Sequence, residues 1–162
     1  MNMLKMLPII LIIILGFSTR IEAYTTQDIE CLALNIYWEA RSESIDGQYA
    51  VGAVVLNRVK DTRFPNTICE IVYQGPIYKS KPELPVRNRC QFSWYCDGKN
   101  DNPRNRTAYS VAVTIAETLL KMKNDIIDGA THYHASYILP EWAKTKTKII
   151  QIDNHIFYRW EK

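Results

Sequence analysis

The residue best suited to acid chemistry is Glu39, within the segment from Thr25 to Arg58. Read at 3.6 residues per turn, this segment carries an apolar helix face made of Ile29, Leu32, Ala33, Ile36, Tyr37 and Ala40. Glu39 projects close to Leu32, at the border of that face. Burial disfavours the charged form of a carboxyl group and raises its pKa, as a general acid at neutral pH requires. The alternative is a solvated glutamate at a helix end, paired with Arg41 or Arg58.

A short segment between two cysteines has a composition that suits sugar binding. Gln91, Phe92, Ser93 and Trp94 alternate polar and aromatic side chains. Aromatic rings stack on the apolar faces of sugars, while amides and hydroxyls bond to sugar hydroxyls. The alternative is that Phe92 and Trp94 are core residues. We expect one or both rings to be partly buried even if Gln91 and Ser93 face a ligand.

Five blocks of residues carry a family resemblance. In chain order they are Tyr37–Glu43 with Val54–Val59, Arg63–Cys69, Gln91–Trp94, Ala130–Ala135 and Asn154–Arg159. In these blocks the chain resembles the SleB/CwlJ family of secreted cell wall hydrolases, which cut the glycan strands of peptidoglycan. The blocks extend over nearly all of the chain beyond its N-terminal segment. Ser42 departs from the pattern, because the family usually has glycine there, and a positive φ would strain a serine.

The resemblance implies a fold and a set of site residues. It implies a lysozyme-like α+β fold, a mostly helical body with a small antiparallel sheet, and no cofactor or metal. Glu39 becomes the catalytic acid. The residues implied to bind the glycan strand are Gln91, Phe92, Ser93, Trp94, His132, Tyr133, His134, His155 and Tyr158.

The number of carboxylates bears on the reaction. Ordinary glycosidases need two, and the candidates for a second are Glu43, Asp46 and Asp97, none in an obviously apolar setting. The family resembles lytic transglycosylases, in which one glutamate suffices. It protonates the glycosidic oxygen between MurNAc and GlcNAc, then takes the proton of the muramoyl 6-hydroxyl as a 1,6-anhydro ring closes.

Two other functions compete with this hypothesis. His132 and His134 share one face of an alternating segment, and with His155 they could ligate zinc in an N-acetylmuramoyl-L-alanine amidase. Hydrogen-bonding or groove-lining roles for these histidines need no metal. The third hypothesis is a non-catalytic wall-binding module, which accounts for the aromatic residues but not for an acid beside an apolar face.

The periodicity predicts the helices that position these residues. Thr25 and Asp28 resemble a capping box that starts the Glu39 helix. Asp46 is expected to cap a second, buried central helix over Gly47–Val59, in which Gly52 indicates the close approach of a neighbouring backbone. Phe64-Pro65-Asn66 is expected to be the entry into a third, short helix that runs to about Tyr73. A long one is expected over Thr107–Asn124.

The remaining segments predict loops and a small sheet. The proline-rich Gln74–Arg89 segment is expected to be a surface loop, either a rim of the substrate groove or a solvated loop without such a role. Thr131–Ser136 alternates as a strand. Lys148–Trp160 alternates with a break at Asp153-Asn154, which predicts a hairpin.

The N-terminal 23 residues have the outline of a secretory signal peptide, with Lys5 before an apolar Leu7–Phe17 run and cleavage expected after Ala23. An uncleaved signal anchor is the alternative, although the run is short for a stable membrane anchor. We therefore expect an exported protein, periplasmic or extracellular or released from a phage-infected cell, with a catalytic domain over residues 24–162.

The small net charge of residues 24–162 gives no support to nucleic acid as a partner and says little about other partners. Removing residues 1–23 takes away Lys5, Arg20 and Glu22, so 18 basic and 16 acidic residues remain, a net charge of +2. So small an excess does not indicate nucleic-acid binding and is compatible with an anionic wall polymer. We expect a monomer.

Four cysteines in an exported chain predict two disulfides, and three pairings are open. We favour Cys90–Cys96, which closes a tight loop around Gln91–Trp94, together with Cys31–Cys69. The alternative is four buried thiols.

These features predict that the mature protein begins near Tyr24 and has no free thiol. Mass spectrometry of the exported protein gives the first residue, and thiol titration of denatured, unreduced protein gives the number of free cysteines. Four reactive thiols would contradict the disulfides.

Overall fold

The structure is a computed structural model that describes residues 24–122 and 125–161. The predicted signal peptide, residues 1–23, lies outside the described residues. Within them, helices form the body of the protein and carry two small antiparallel sheets. The α-helices are α1 (Thr26–Ala40), α2 (Ile45–Lys60), α3 (Ile68–Val72) and α4 (Arg106–Lys121). No helix in this part of the chain is long and apolar enough to cross a bilayer.

The helix starts follow from local hydrogen bonds. The predicted capping box at α1 is confirmed: the Asp28 amide donates to Thr25 Oγ1 at 3.1 Å, and the Thr25 amide donates to the Asp28 carboxylate at 2.9 Å. The predicted cap of α2 is wrong. Ser44 caps this helix, accepting a bond from the Gly47 amide at 3.1 Å, while Asp46 lies in the first turn. In this position the carboxylate interacts favourably with the positive end of the helix dipole, but it does not cap the helix.

Helix α2 lies at the centre of the core, as its apolar sequence predicts. Val51, Val54 and Val55 are fully buried, and α2 packs against α1 and α4. A Cβ atom at Gly52 would lie 2.5 Å from Leu119 Cδ1 and 2.9 Å from Ile36 Cδ1. The close neighbours of Gly52 are therefore side chains of α4 and α1, and not a backbone as expected.

The segment between α2 and α4 differs most from its prediction. Helix α3 follows the predicted entry at Phe64–Asn66, begins after its cap Thr67 and ends at Val72. The predicted Gln74–Arg89 surface loop is exposed but contains a hairpin, β1 (Ile77–Tyr78) paired with β2 (Lys81–Pro85). Both faces of this hairpin are exposed. Its sequence therefore lacks the alternation of apolar and polar residues from which strands are predicted.

Two disulfides hold this part of the chain. Cys31 pairs with Cys69, which joins α1 to α3, and Cys90 pairs with Cys96. This is the pairing that the sequence favoured. The segment inside the second bridge ends in a 3₁₀ turn, Ser93–Cys96, and not in an extended strand.

The second sheet contains β3 (His132–Ala135), β4 (Thr147–Ile152) and β5 (His155–Arg159) in the order β3-β5-β4. The hairpin turn at Asp153-Asn154 is confirmed. Phe157, opposite Tyr133 in the β3–β5 ladder, is fully buried and belongs to the core cluster that includes α1 and α2. A short 3₁₀ helix, Glu141–Thr145, lies between β3 and β4.

The α1–α2 turn is tied to the β4–β5 turn. The Ser44 amide donates to the Asp153 carboxylate at 2.8 Å, and the Asn154 amide donates to the Glu43 carboxylate at 3.1 Å. These bonds fix the sheet next to the end of α1. Ser42, in the same turn, has no positive φ, so the substitution for the family's glycine produces no strain.

We predict that Gly52→Ala destabilises the protein by about 1–3 kcal/mol, because the added methyl overlaps Leu119 and Ile36. Urea denaturation under oxidising conditions measures the effect. Leu119→Ala in the Gly52→Ala background should cost less than in the wild type, since it removes the overlap. A gain of about 1 kcal/mol for Gly52→Ala, as helix propensity alone predicts, would contradict this packing.

Candidate active site

Glu39 lies in the last turn of α1, where its side chain is half-buried. Its neighbour across the interface is Tyr133 of β3, whose hydroxyl donates a hydrogen bond to Glu39 Oε2 at 2.9 Å. The two residues are 94 positions apart in the sequence. Docking of the sheet against α1 therefore creates the environment of this carboxyl group.

Arg58 supplies a positive charge at the same place. It lies in the last turn of α2 with 2% of its surface exposed, and its Nε donates to the Thr131 carbonyl at 2.8 Å. The guanidinium carbon lies 5.3 Å from the centre of the Phe64 ring and 5.4 Å from that of Phe92. Arg58 is therefore buried, although it lies at the end of a helix.

Three effects set the pKa of Glu39, and the largest of them opposes the other two. Burial raises the pKa of Glu39, while the Tyr133 hydrogen bond and the charge of Arg58 lower it, and the net pKa is raised. Burial and the Glu39 charge raise the pKa of Tyr133 well above its usual value, so this phenol stays a donor. Burial lowers the pKa of Arg58 to about 10, which leaves it cationic at neutral pH. The site thus favours the protonated form of Glu39 more than water does, and the Tyr133 hydroxyl and the Arg58 charge stabilise the anion once a proton leaves.

The three candidates for a second carboxylate have other surroundings. Glu43 accepts hydrogen bonds from Asn154, and Asp46 is exposed on α2. Hydrogen bonds from Lys99 lower the pKa of Asp97. These surroundings differ from those of Glu39, which accepts a hydrogen bond from the Tyr133 hydroxyl.

The sheet separates the predicted substrate-binding residues into two groups. Directly opposed residues of an antiparallel pair share a face, and His155 opposes Ala135 while Phe157 opposes Tyr133. Tyr133 and His155 are therefore on the face that meets α1, with ring centres 5.1 Å apart. The residues on the other face are His132, His134 and Tyr158.

The residues on the far face bond to one another. His134 Nδ1 lies 2.9 Å from the Ala135 carbonyl, which can only accept, so this nitrogen carries the proton. His134 Nε2 then accepts a bond from the Tyr158 hydroxyl at 3.0 Å, and both side chains are buried. This pair is structural, so the sequence prediction that it lines the groove is not supported by the structure.

The same geometry bears on the zinc hypothesis. His132 packs beside Phe64 and Trp142, and burial lowers its pKa to about 4. His155 lies on the opposite face of the ladder from His132 and His134. The three imidazoles do not converge. Among residues 24–122 and 125–161, no group of three His, Cys, Asp or Glu side chains is arranged to hold a metal ion.

The Gln91–Trp94 segment is divided in the way expected. Phe92 and Trp94 are buried in the core, whereas Gln91 and Ser93 are exposed. The Trp94 indole N–H donates to Asn35 Oδ1 at 3.2 Å, and its ring stacks on Trp38 with centres 6.5 Å apart.

Comparison with known proteins identifies the family. The sequence model of the family described as Cell Wall Hydrolase matches residues 42–158, more than half of the chain. The protein belongs to the cell wall hydrolase family. The match begins three residues after Glu39.

Solved structures support the fold of this cell wall hydrolase. The catalytic domain of the germination-specific lytic transglycosylase SleB from Bacillus anthracis is 29% identical, with a TM-score of 0.62 over 85% of this chain and 98% of that domain. The catalytic domain of Bacillus cereus SleB is 27% identical, with a TM-score of 0.59 over 85% and 94% of the two chains. The expected lysozyme-like α+β fold is confirmed.

Relatives in sequence are longer proteins. The spore cortex-lytic enzyme of Bacillus cereus is 28% identical over 143 residues, which cover 84% of this chain and 46% of the relative. That of Oceanobacillus iheyensis is 27% identical over 146 residues, or 84% and 43% of the two chains. This cell wall hydrolase thus spans less than half the length of these relatives.

Sequence reasoning missed a cleft beside Glu39. It lies against the last turn of α1, has a volume of about 580 Å³, and is lined by Tyr37, Trp38, Arg41, Trp94, Asp97, Lys99, Asn100, Asp101, Arg104 and Asn105. The Trp38 indole N–H donates to the Asp101 carbonyl at 3.0 Å and holds the far wall in place. Residues 97–105 show no helical or strand periodicity, so nothing in their pattern indicates that they return to α1.

We predict that Tyr133→Phe raises the pKa of Glu39 further, because it removes a hydrogen bond that stabilises the carboxylate. Titration of ¹³C-labelled glutamate side chains by NMR measures this pKa, with Glu39→Gln to assign the resonance. Tyr109→Phe is the control, since Tyr109 lies in α4 and should leave the Glu39 titration unchanged. A lower pKa in Tyr133→Phe would contradict the proposed balance.

Proposed function

We propose that this cell wall hydrolase cleaves the glycan strand of peptidoglycan between MurNAc and GlcNAc, as a lytic transglycosylase with Glu39 as its acid. The observation that carries the proposal is the half-buried Glu39 carboxyl, which has a raised pKa and accepts a hydrogen bond from the Tyr133 hydroxyl at 2.9 Å. Glycosidases that use two carboxylates place the second about 5–10 Å from the first, across the scissile bond. Glu43, Asp46 and Asp97 have surroundings that suit no such role.

The geometry suits both halves of the reaction. Glu39 donates its proton to the glycosidic oxygen, and the bond from that oxygen to the muramoyl C1 breaks. Glu39 is then an anion, stabilised by the Tyr133 hydroxyl and the Arg58 charge. It takes the proton of the muramoyl 6-hydroxyl as this oxygen bonds to C1. No water is consumed, and Glu39 regains its proton.

The relatives support this choice of reaction and substrate. One structural relative is titled a lytic transglycosylase, and the relatives in sequence are named spore cortex-lytic enzymes. The substrate lies outside the cytoplasm, so the proposal includes export directed by residues 1–23. The polar groups that we propose to bind the glycan are Gln91, Ser93 and His155, which are exposed or half-buried.

The two competing functions receive less support from the site. A zinc amidase requires converging ligands, and the three histidines lie on opposite faces of one ladder. A non-catalytic module has no use for a half-buried carboxyl beside a buried arginine, because burial of both groups is costly. Neither function explains the arrangement of Glu39, Tyr133 and Arg58.

We predict that Glu39→Gln lowers the rate of glycan cleavage by about 10²–10⁴-fold, because the amide keeps the shape but cannot deliver a proton. The variant should fold and still bind peptidoglycan. Release of soluble fragments from purified sacculi measures the rate. Mass spectrometry of the wild-type products should show 1,6-anhydro ends, lighter than hydrolysed ends by one water.

Glu43→Gln is the matched control, since Glu43 lies one turn further along and bonds to Asn154. It should retain most of the activity. Wild-type cleavage by Glu39→Gln, with loss in Glu43→Gln or Asp97→Asn, would show that the acid is misassigned. Activity that disappears on chelation and returns only with zinc would favour the amidase.

A further inference from the structure

The cleft beside Glu39 has a charge pattern that the proposed reaction does not use. Its aromatic wall is formed by Tyr37, Trp38 and Trp94, and its cationic groups come from Arg41, Lys99 and Arg104. Lys99 is neutralised by Asp97 at 3.1 Å. In the part of the chain that the structure describes, neither Arg41 nor Arg104 forms an ion pair with a carboxylate. Two arginines thus face the cleft without an anionic partner.

Arg41 is oriented by aromatic contacts. Its guanidinium carbon lies 5.0 Å from the centre of the Tyr37 ring and 4.9 Å from that of Trp38. Its one hydrogen bond to protein, from Nη1 to the Tyr37 carbonyl, is long at 3.4 Å. A guanidinium stacked on rings keeps its edge N–H groups free for a planar oxyanion. Of the anions in the cell wall, a carboxylate fits this geometry by a bidentate contact.

The opposite wall of the cleft carries an acidic residue, Asp101. Asp101 is half-buried, and its carbonyl is fixed by the Trp38 indole. Burial and the nearby charge of Asp97 raise the pKa of Asp101. An ammonium group bound there would relieve the repulsion between the two carboxylates. A ligand with both a carboxylate and an ammonium group therefore matches this cleft.

We propose that the cleft is a subsite for the peptide stem of peptidoglycan, with Arg41 and Arg104 binding a stem carboxylate and Asp101 binding the ammonium group of the diamino residue. This inference rests on the proposed function, because the stem is attached to the muramoyl residue of the strand being cut. The enzyme then recognises stem-bearing strands and not bare polysaccharide.

Glu39 and the cleft are neighbours at the end of α1. Glu39 lies in the last turn of this helix, and the cleft is lined by the preceding residue, Trp38, and by Arg41, the residue that ends the helix. A stem carried by a muramoyl residue at Glu39 therefore starts close to this subsite.

Direct binding tests the subsite without any catalysis. The probe is the free stem tripeptide L-alanyl-γ-D-glutamyl-diaminopimelate, titrated into the wild-type protein by calorimetry. We expect saturable binding, weakened by about tenfold or more in Arg41→Gln/Arg104→Gln. The control Arg89→Gln/Arg106→Gln removes two exposed arginines that do not line the cleft and should bind as the wild type does. Amidating the peptide's carboxylates should weaken binding to the wild type, an effect that needs no variant and so is independent of folding.

Cleavage provides the second arm. Wild-type protein should cut intact sacculi about tenfold faster than strands whose stems an amidase has removed, and this ratio should fall towards one in Arg41→Gln/Arg104→Gln. Equal rates on both substrates, with no tripeptide binding, would overturn the subsite and leave the glycan-cleaving function standing. Failure to cut either substrate would overturn the proposed function, while tripeptide binding that depends on Arg41 and Arg104 would still support the subsite.

Discussion

The contact between the end of α1 and strand β3 determines whether this protein has an active site. Glu39 is one of several acidic residues on the helices, and only its place under the sheet distinguishes it. There the carboxyl loses water, gains the Tyr133 hydroxyl at 2.9 Å and lies within the field of Arg58. Burial outweighs the other two, so the pKa of the group is raised. The same two partners limit the energy of the anion, and one carboxyl can therefore serve as acid and then as base.

Burial of Arg58 is the cost of this arrangement. Removing a guanidinium from water is unfavourable unless hydrogen bonds and opposite charge compensate. The Thr131 carbonyl, the rings of Phe64 and Phe92, and the Glu39 carboxyl provide part of that compensation. Arg58 Nη1 still has no hydrogen-bond partner among the described residues. The buried charge of Arg58 is therefore explained by its effect on Glu39 and not by a contribution to the stability of the core.

The sequence predicted the parts of the structure that have a local cause. The capping box of Thr25 and Asp28, the buried α2 and the turn at Asp153-Asn154 each follow from a few adjacent residues, and the structure has all three. Glu39 was selected from its place beside an apolar face together with the family resemblance, and the structure shows it half-buried. The β1–β2 hairpin was missed because its exposed strands carry no hydrophobic period. Alternation placed His132 and His134 on one face, but it could not tell that this face is directed away from Glu39.

The separation of the site residues along the chain has a consequence for when the enzyme becomes active. Glu39 meets Tyr133 across 94 residues, and Arg58 meets Thr131 across 73. Contacts between such distant segments close long loops and form late in folding. A nascent chain, or one threaded unfolded through a membrane, holds Glu39 as an ordinary solvated carboxylate. The environment that raises the pKa of Glu39 therefore exists only after strand β3 has packed against α1.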